Sequence, residues 1–203
     1  MSTDFQTSET KTNLMRAFAG ESQARNRYDF AAKAAGEQKL YVVEAAFRFT
    51  AKQEQAHAKV FYDHLKAFDG TDIAADGGYP VNLTASVAGL LRYAAENERK
   101  EHDEVYAAFA ETAQREGFLK VAADFRNIAA IEQLHGERFT KFAELIESGK
   151  LFIADAECAW MCLNCGHVQT TKAAPELCPV CGHDRGFFIR LAMTPGGGEK
   201  GEK

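Results

Sequence analysis

Val121-Ala-Ala-Asp-Phe125-Arg-Asn-Ile128-Ala-Ala-Ile-Glu132-Gln-Leu-His135-Gly-Glu-Arg-Phe139-Thr-Lys-Phe142 carries the pattern from which the rest of the chain can be read. Val121, Phe125, Ile128, Phe139 and Phe142 recur at three- and four-residue steps, the spacing of a helix with one apolar face. Glu132 and His135 fall on that same face, near its centre. An ionised carboxylate in an apolar seam costs several kcal/mol and normally takes up a proton unless something pairs with it. The anomaly occurs twice. Val43, Phe47, Thr50, Phe61 and Leu65 form a second stripe, interrupted by Glu54 and His57 in the same Glu-x-x-His spacing.

Two more helical segments carry carboxylates at matching depth. Between about Glu9 and Ala35, the stripe Leu14, Phe18, Tyr28, Ala32 contains Glu21. From an N-cap at Thr84 or Ser86 to about Gly117, the stripe Val87, Leu91, Ala94, Val105, Phe109 contains Glu98 and Glu101. The Glu54 helix spans about Leu40 to Phe68, and the Glu132 helix about Phe118 to Ser148. Of four prolines only Pro80 precedes position 175, which leaves long helices uninterrupted. Short connections after the first and third helices, and a Gly-, Asp- and Pro-containing linker over Asp69–Asn82, describe an all-α ferritin-like four-helix bundle with one crossover. Glu21 precedes Glu54 by 33 residues and Glu98 precedes Glu132 by 34, as in a duplicated helix pair.

A surface Glu and His three residues apart is ordinarily a solvated helix pair. Here both pairs lie on apolar stripes, and the other two helices add Glu at the same level. Glu-x-x-His from two helices plus Glu from two others is the donor set of di-iron carboxylate bundles. Oxygen donors suit a hard, redox-active ion, and imidazole suits its ferrous state. Glu21, Glu54, Glu98, Glu101 and Glu132 together carry −5, against +4 for two ferrous or +6 for two ferric ions. Glu54 and Glu132 are expected to bridge the two irons, about 3.5–4 Å apart. Tyr28 and Tyr106 are candidates to hydrogen-bond donor carboxylates. His64 is expected beyond the donor layer and His102 in solvent.

All five cysteines lie between positions 158 and 181. An odd count, clustered in one short stretch, argues for a metal site with one cysteine over, not a disulfide framework. Cys162-Leu-Asn-Cys165-Gly166 and Cys178-Pro-Val-Cys181-Gly182 are two Cys-x-x-Cys knuckles separated by 12 residues. Four thiolates make a tetrahedral site for iron or zinc, and the spacing leaves the metal open; zinc can also enter recombinant protein by misloading. Trp160, Leu177, Phe187, Phe188 and Leu191 are too few for a core, so the metal must fold the module. Cys158 is the spare, and His167 and His183 are expected on the surface.

The chain therefore divides into a helical domain over 1–150, a cysteine module over 155–194 and a Gly-rich charged tail over 195–203, expected to be disordered. Lys+Arg number 24 against 29 Asp+Glu, giving −5 without the basic stripe that nucleic acid needs. No apolar run reaches 18 residues, so no membrane span is expected, and the N-terminus lacks a secretory pattern, which makes the cytoplasm the expected compartment.

Ala19-Gly-Glu21-Ser-Gln-Ala-Arg-Asn-Arg-Tyr28, Glu54-Gln-Ala-His57, Glu98-Arg-Lys-Glu101-His-Asp-Glu104-Val-Tyr106, Glu132-Gln-Leu-His135 and Pro175-Glu-Leu-Cys178-Pro-Val-Cys181 together resemble the rubrerythrins over about residues 8–194. Glu101 is the extra carboxylate that sets this family apart from plain ferritins. The resemblance implies a bundle followed by a rubredoxin-like module of loops and short β-strands. It implies a peroxidase in which two irons, held by Glu21, Glu54, His57, Glu98, Glu101, Glu132 and His135, reduce hydrogen peroxide. It implies one iron on Cys162, Cys165, Cys178 and Cys181, resupplied by an NAD(P)H-dependent rubredoxin reductase. A homodimer is implied too, in which one chain's rubredoxin-like iron approaches its partner's di-iron site. One iron is expected to exchange Glu101 for His57 as its oxidation state changes. The alternative is a ferritin-like iron-oxidising or storage protein with a structural zinc ribbon.

Overall fold

The computed structural model describes residues 3–194, and the tail expected to be disordered, 195–203, lies outside them. Five helical segments come first: α1 (Glu9–Glu37), α2 (Tyr41–His64), α3 (Val87–Lys100), α4 (Tyr106–Glu116) and α5 (Leu119–Glu147). Ser8 starts α1 by accepting a hydrogen bond from the Lys11 amide, and Ser86, not Thr84, does the same for α3 through Gly89. Gly117, at φ +92°, ends α4 in the left-handed region that only glycine enters without strain. No helix among the described residues is long and apolar enough to cross a membrane.

The third rod departs from the sequence expectation. A π-helical turn over Glu101–Val105 separates α3 from α4. A π-turn accommodates one residue more than an α-turn, so the apolar stripe slips by one position beyond it. Tyr106, Ala110 and Ala113 are buried, whereas Val105 and Phe109, expected on the stripe, are only partly covered. With α3–α4 counted as one rod, the bundle has the expected four helices, and the crossover runs between α2 and α3.

The core forms two apolar layers with a polar layer between them. In one, Tyr28 and Phe47 each pack on Phe139 with ring centres 5.0 Å apart. In the other, Phe61 and Tyr106 pack on Phe125 at 4.9 and 5.8 Å. These rings keep water from the acidic residues between them.

After α5 the chain forms a three-stranded antiparallel sheet in the order β2-β1-β3, with β1 Ile153–Cys162, β2 Val168–Ala173 and β3 Phe188–Arg190. Trp160 is fully buried, faces Gln169 on one side and Arg190 on the other, and donates its indole N–H to the Thr171 carbonyl at 3.0 Å. Phe188 joins Trp160 in the small core, but Leu177, expected there, is 64% exposed. The module seats on the α1–α2 turn of its own chain. Phe187 packs on Tyr41 with ring centres 4.2 Å apart, and Ile189 extends the first apolar layer of the bundle.

Candidate metal centres

Glu21 comes from α1, Glu54 and His57 from α2, Glu98 from α3, and Glu132 and His135 from α5, all of them buried. The helix periodicity that buries the aromatic layers also points these six side chains at one another. They form two overlapping donor sets, Glu21/Glu54/His57/Glu132 and Glu54/Glu98/Glu132/His135, each with its donor atoms within 4.8 Å of one another. Glu54 and Glu132 belong to both.

The two halves are nearly symmetric. His57 Nδ1 lies 2.9 Å from Glu132 Oε1, 3.1 Å from Glu54 Oε2 and 3.9 Å from Glu21 Oε1. His135 Nδ1 lies 2.8 Å from Glu132 Oε2, 3.0 Å from Glu54 Oε1 and 3.8 Å from Glu98 Oε2. Glu54 and Glu132 thus give one oxygen to each side. The separations involving Glu54 and Glu132, 2.8 to 3.1 Å, match the roughly 3.0 Å edge of an octahedral shell with bonds of about 2.1 Å.

Hydrogen bonding does not account for the cluster. Glu21 Oε2, Glu54 Oε1, Glu98 Oε2, both Glu132 oxygens and His135 Nδ1 are buried without a hydrogen-bond partner among the described residues. So many orphaned donors aimed at shared points fit a pair of cations. Two tyrosines, by contrast, each hold one carboxylate oxygen. Tyr28 donates to Glu98 Oε1 and Tyr106 to Glu21 Oε1, so each tyrosine reaches across the bundle. Without a metal, burial pushes the Glu21 and Glu98 carboxyls well up; the Glu132 charge adds most for Glu21, and the Glu54 charge for Glu98. Against the cost of burial, the neighbouring carboxylates raise His57 to about 9. Protons thus occupy the cluster where cations would otherwise balance it.

Glu101 stands apart. It is half-buried on the π-turn and belongs to neither donor set, while His57 is in one. Burial, with the charges of Glu132 and Glu54, pushes its carboxyl up to about 8. Neither Tyr28 nor His135 pairs with it: Tyr28 goes to Glu98, and His135 Nε2 lies 3.1 Å from Gln53 Oε1. Gln53 was not singled out from the sequence. With Nε2–H donating to Gln53, Nδ1 of His135 is left to bind a metal, and Arg138 steadies the arrangement through Gln53 and Thr50 at 3.2 and 2.8 Å. Its sequence signal was only its place beside Glu54. His64 pairs with Asp124 at 2.7 Å, away from the cluster, and His102 pairs with Asp103 on an exposed face.

In the module, Cys162, Cys165, Cys178 and Cys181 form a single four-sulfur set, with Sγ–Sγ distances of 3.7 Å for Cys162–Cys181 and 3.6 Å for Cys165–Cys178. A tetrahedron with metal–sulfur bonds of about 2.3 Å has edges of about 3.8 Å, so little movement is needed to bind. Gly166 and Gly182, at φ +75° and +73°, close the two knuckles by donating to the Cys162 and Cys178 carbonyls. The backbone N–H of His183 points to Cys181 and holds its thiol down to about 6. Cys158 stays outside the set. His167 and His183 also stay outside it, and each is half-buried.

Comparison with known proteins agrees with both sites. Residues 12–143 match the rubrerythrin family model, and residues 160–189 match that of the rubrerythrin rubredoxin-like domain. A rubrerythrin of Porphyromonas gingivalis is 42% identical over 89% of this chain and 89% of its own. One from Nitratidesulfovibrio vulgaris is 38% identical over 92% and 96%. A solved structure of partially reduced nigerythrin superposes with a TM-score of 0.61 at 27% identity, over 91% of this chain and 90% of that one. A bacterioferritin of Mycobacterium tuberculosis, at 17% identity and a TM-score of 0.62, shares the bundle fold. The cluster carries donors for two irons and the four cysteines carry donors for one. Both domain matches, in the same order along one chain, make this protein a member of the rubrerythrin family.

Proposed function

We propose that this protein is a peroxidase that reduces hydrogen peroxide to water (H2O2 + 2 e⁻ + 2 H⁺ → 2 H2O) in oxidative-stress defence. The observation that supports this most is one chain carrying a two-cation cluster and a four-thiolate site on one fold. An iron store has no use for the second site. Residues 1–150 do the chemistry, and residues 155–194 pass in electrons from an NAD(P)H-dependent rubredoxin reductase. The working form is a cytoplasmic homodimer in which the cysteine site of one chain serves the cluster of the other.

Glu54 and Glu132 would be shared by both cations, Glu21 and His57 would hold one, and Glu98 and His135 the other. Iron bound there supplies the two electrons, one from each ion. Tyr28 and Tyr106 hold Oε1 of Glu98 and Glu21 respectively, which leaves Oε2 of each free for a metal. The two aromatic layers keep bulk water out, so the charges act in a low-dielectric site. Glu101 and His57 would serve as alternative donors at one position, the anion suiting ferric iron and the neutral imidazole ferrous iron.

Cys162→Ser tests the relay. Steady-state peroxide turnover with a reductase is expected to vanish, while a chemically reduced cluster still consumes peroxide once. Unchanged turnover in iron-loaded variant rules the relay out. Air-oxidised protein with visible thiolate-to-iron absorption is expected, whereas a colourless module after iron reconstitution favours the zinc ribbon.

A further inference from the structure

Beside the donor cluster lies an open pocket of about 890 Å³, walled by Gly20 and Gln23 of α1, Tyr79 of the crossover, Asn97 of α3, and Glu101 and Glu104 of the π-turn. Tyr106, which donates to Glu21, and Glu101 both line it. Next to this wall is a cation short of an acceptor. Arg27 lies one turn along α1 from Gln23 and donates through Nε to Gln23 Oε1 at 2.6 Å. Its guanidinium carbon stands 5.5 Å from the centre of the Tyr28 ring, the ring that reaches Glu98. Its Nη2 is buried with no hydrogen-bond partner among the described residues. A guanidinium nitrogen enclosed without an acceptor is costly, so the place favours an anion.

Glu101 is the half-buried carboxylate on the same pocket wall as Gln23, to which Arg27 is anchored. It sits outside both donor sets. Glu132 and Glu54 press on it from the cluster side, while Arg27 on α1 and His135 on α5 favour its ionised form. The carboxylate therefore lies between a negative cluster and a tethered cation.

We propose that Arg27, anchored by Gln23, is a positioning residue: it receives the Glu101 carboxylate when that carboxylate is off the metals and so stabilises the reduced, His57-ligated state. This rests on the reading of Glu101 and His57 as exchanging donors. Arg27 itself touches neither substrate nor metal. It acts by giving the released carboxylate a counter-charge beside the pocket, on the side away from Glu132 and Glu54 of the cluster.

The test is a double-mutant cycle on the iron-loaded full-length protein, read by spectroelectrochemical titration of the cluster. Arg27→Gln is expected to shift the reduced/oxidised ratio about tenfold toward the oxidised form, or about 59 mV lower per one-electron step. Loss of a nearby cation lowers any potential, so the potential alone does not decide. In the Glu101→Gln background, Arg27→Gln is expected to shift it by less than half as much; an equal shift in both backgrounds overturns the proposal. Arg27→Lys is expected to recover most of the shift. Gln23→Met, which frees the guanidinium but keeps its charge, is expected to shift the ratio in the same direction. It decides the matter if Arg27→Gln fails to fold, and no shift in it then overturns the proposal. Crystals of dithionite-reduced and oxidised wild type separate the two layers. If Glu101 ligates identically in both, the exchange reading fails and the proposal with it. If Glu101 moves in wild type and moves identically in Arg27→Gln, with an unchanged potential, the exchange stands and the role of Arg27 fails.

Discussion

Stripping the cluster of metal and raising the pH is expected to weaken the fold through Glu101 in a calculable way. Its carboxyl is pushed from an ordinary 4.5 up to about 8, first by burial and then by the Glu132 and Glu54 charges. Over that window the folded chain keeps a proton that the unfolded chain has already released. The folded state thus binds more protons, and stability falls as pH rises through the window. Between pH 6 and pH 8 this one group costs about 2 kcal/mol, from about 1.4 kcal/mol for each step of one pH unit and allowing for titration near its own pKa. That figure is an upper one, because Glu101 is half-buried and pocket water screens it. For a chain of this length it corresponds to a loss in Tm of about 4–8 °C. The assay is thermal unfolding of chelator-treated wild type and Glu101→Gln at both pH values. The variant mimics the protonated side chain throughout, so its own loss is expected to be smaller by about that amount. Groups remote from Glu101 titrate alike in both proteins and cancel, whereas Glu21 and Glu98 feel the Glu101 charge and share in the difference. A gap between the two that does not change with pH, or that reverses, shows that Glu101 does not hold a proton in the folded chain. Metal reverses the sign, since donors must be deprotonated to bind, and metal-loaded wild type is expected to gain stability over the same window.

Two further expectations follow from the donor geometry and from how the module seats. Glu54 contributes an oxygen to both halves, so Glu54→Ala is expected to lose loading at both positions together, whereas Glu98→Ala retains one ion; metal titration followed by elemental analysis checks this, and two ions bound by Glu54→Ala contradict the bridge. Gly186→Ala is expected to lift the module from the bundle, because a Cβ there would stand 2.0 Å from the Lys39 carbonyl oxygen. Faster proteolysis between α5 and β1 with an intact four-cysteine spectrum is the expected readout, and an unchanged cleavage rate contradicts it.

The donor layer was legible because burial and charge conflict so plainly. Glu54, His57, Glu132 and His135 are polar residues on apolar stripes, and periodicity alone fixes which way they face. The cysteine knuckles were legible from spacing. The π-turn was not, because both registers of the third rod read as apolar: Val105 and Phe109 in one, Tyr106, Ala110 and Ala113 in the other. Only packing against Phe61 and Phe125 selects the second. That slip by one residue brings Tyr106 to Glu21 and leaves Glu101 at the pocket wall, a pairing that no local pattern contains. Gln53 and Arg27 were missed for a related reason. Each is an ordinary helical polar residue, and its role comes from a partner on another helix or from the lack of one.

Whether the cluster reduces peroxide with electrons from two irons is decided by rapid mixing. Anaerobic, fully reduced, iron-loaded protein is titrated with hydrogen peroxide while cluster oxidation is followed optically. One peroxide is expected to oxidise one cluster, two electrons for each molecule, and peroxide is expected to react faster than dioxygen at equal concentration. A cluster that ignores peroxide, or that reacts faster with dioxygen and accumulates mineralised iron, is an iron-oxidising centre and not a peroxidase.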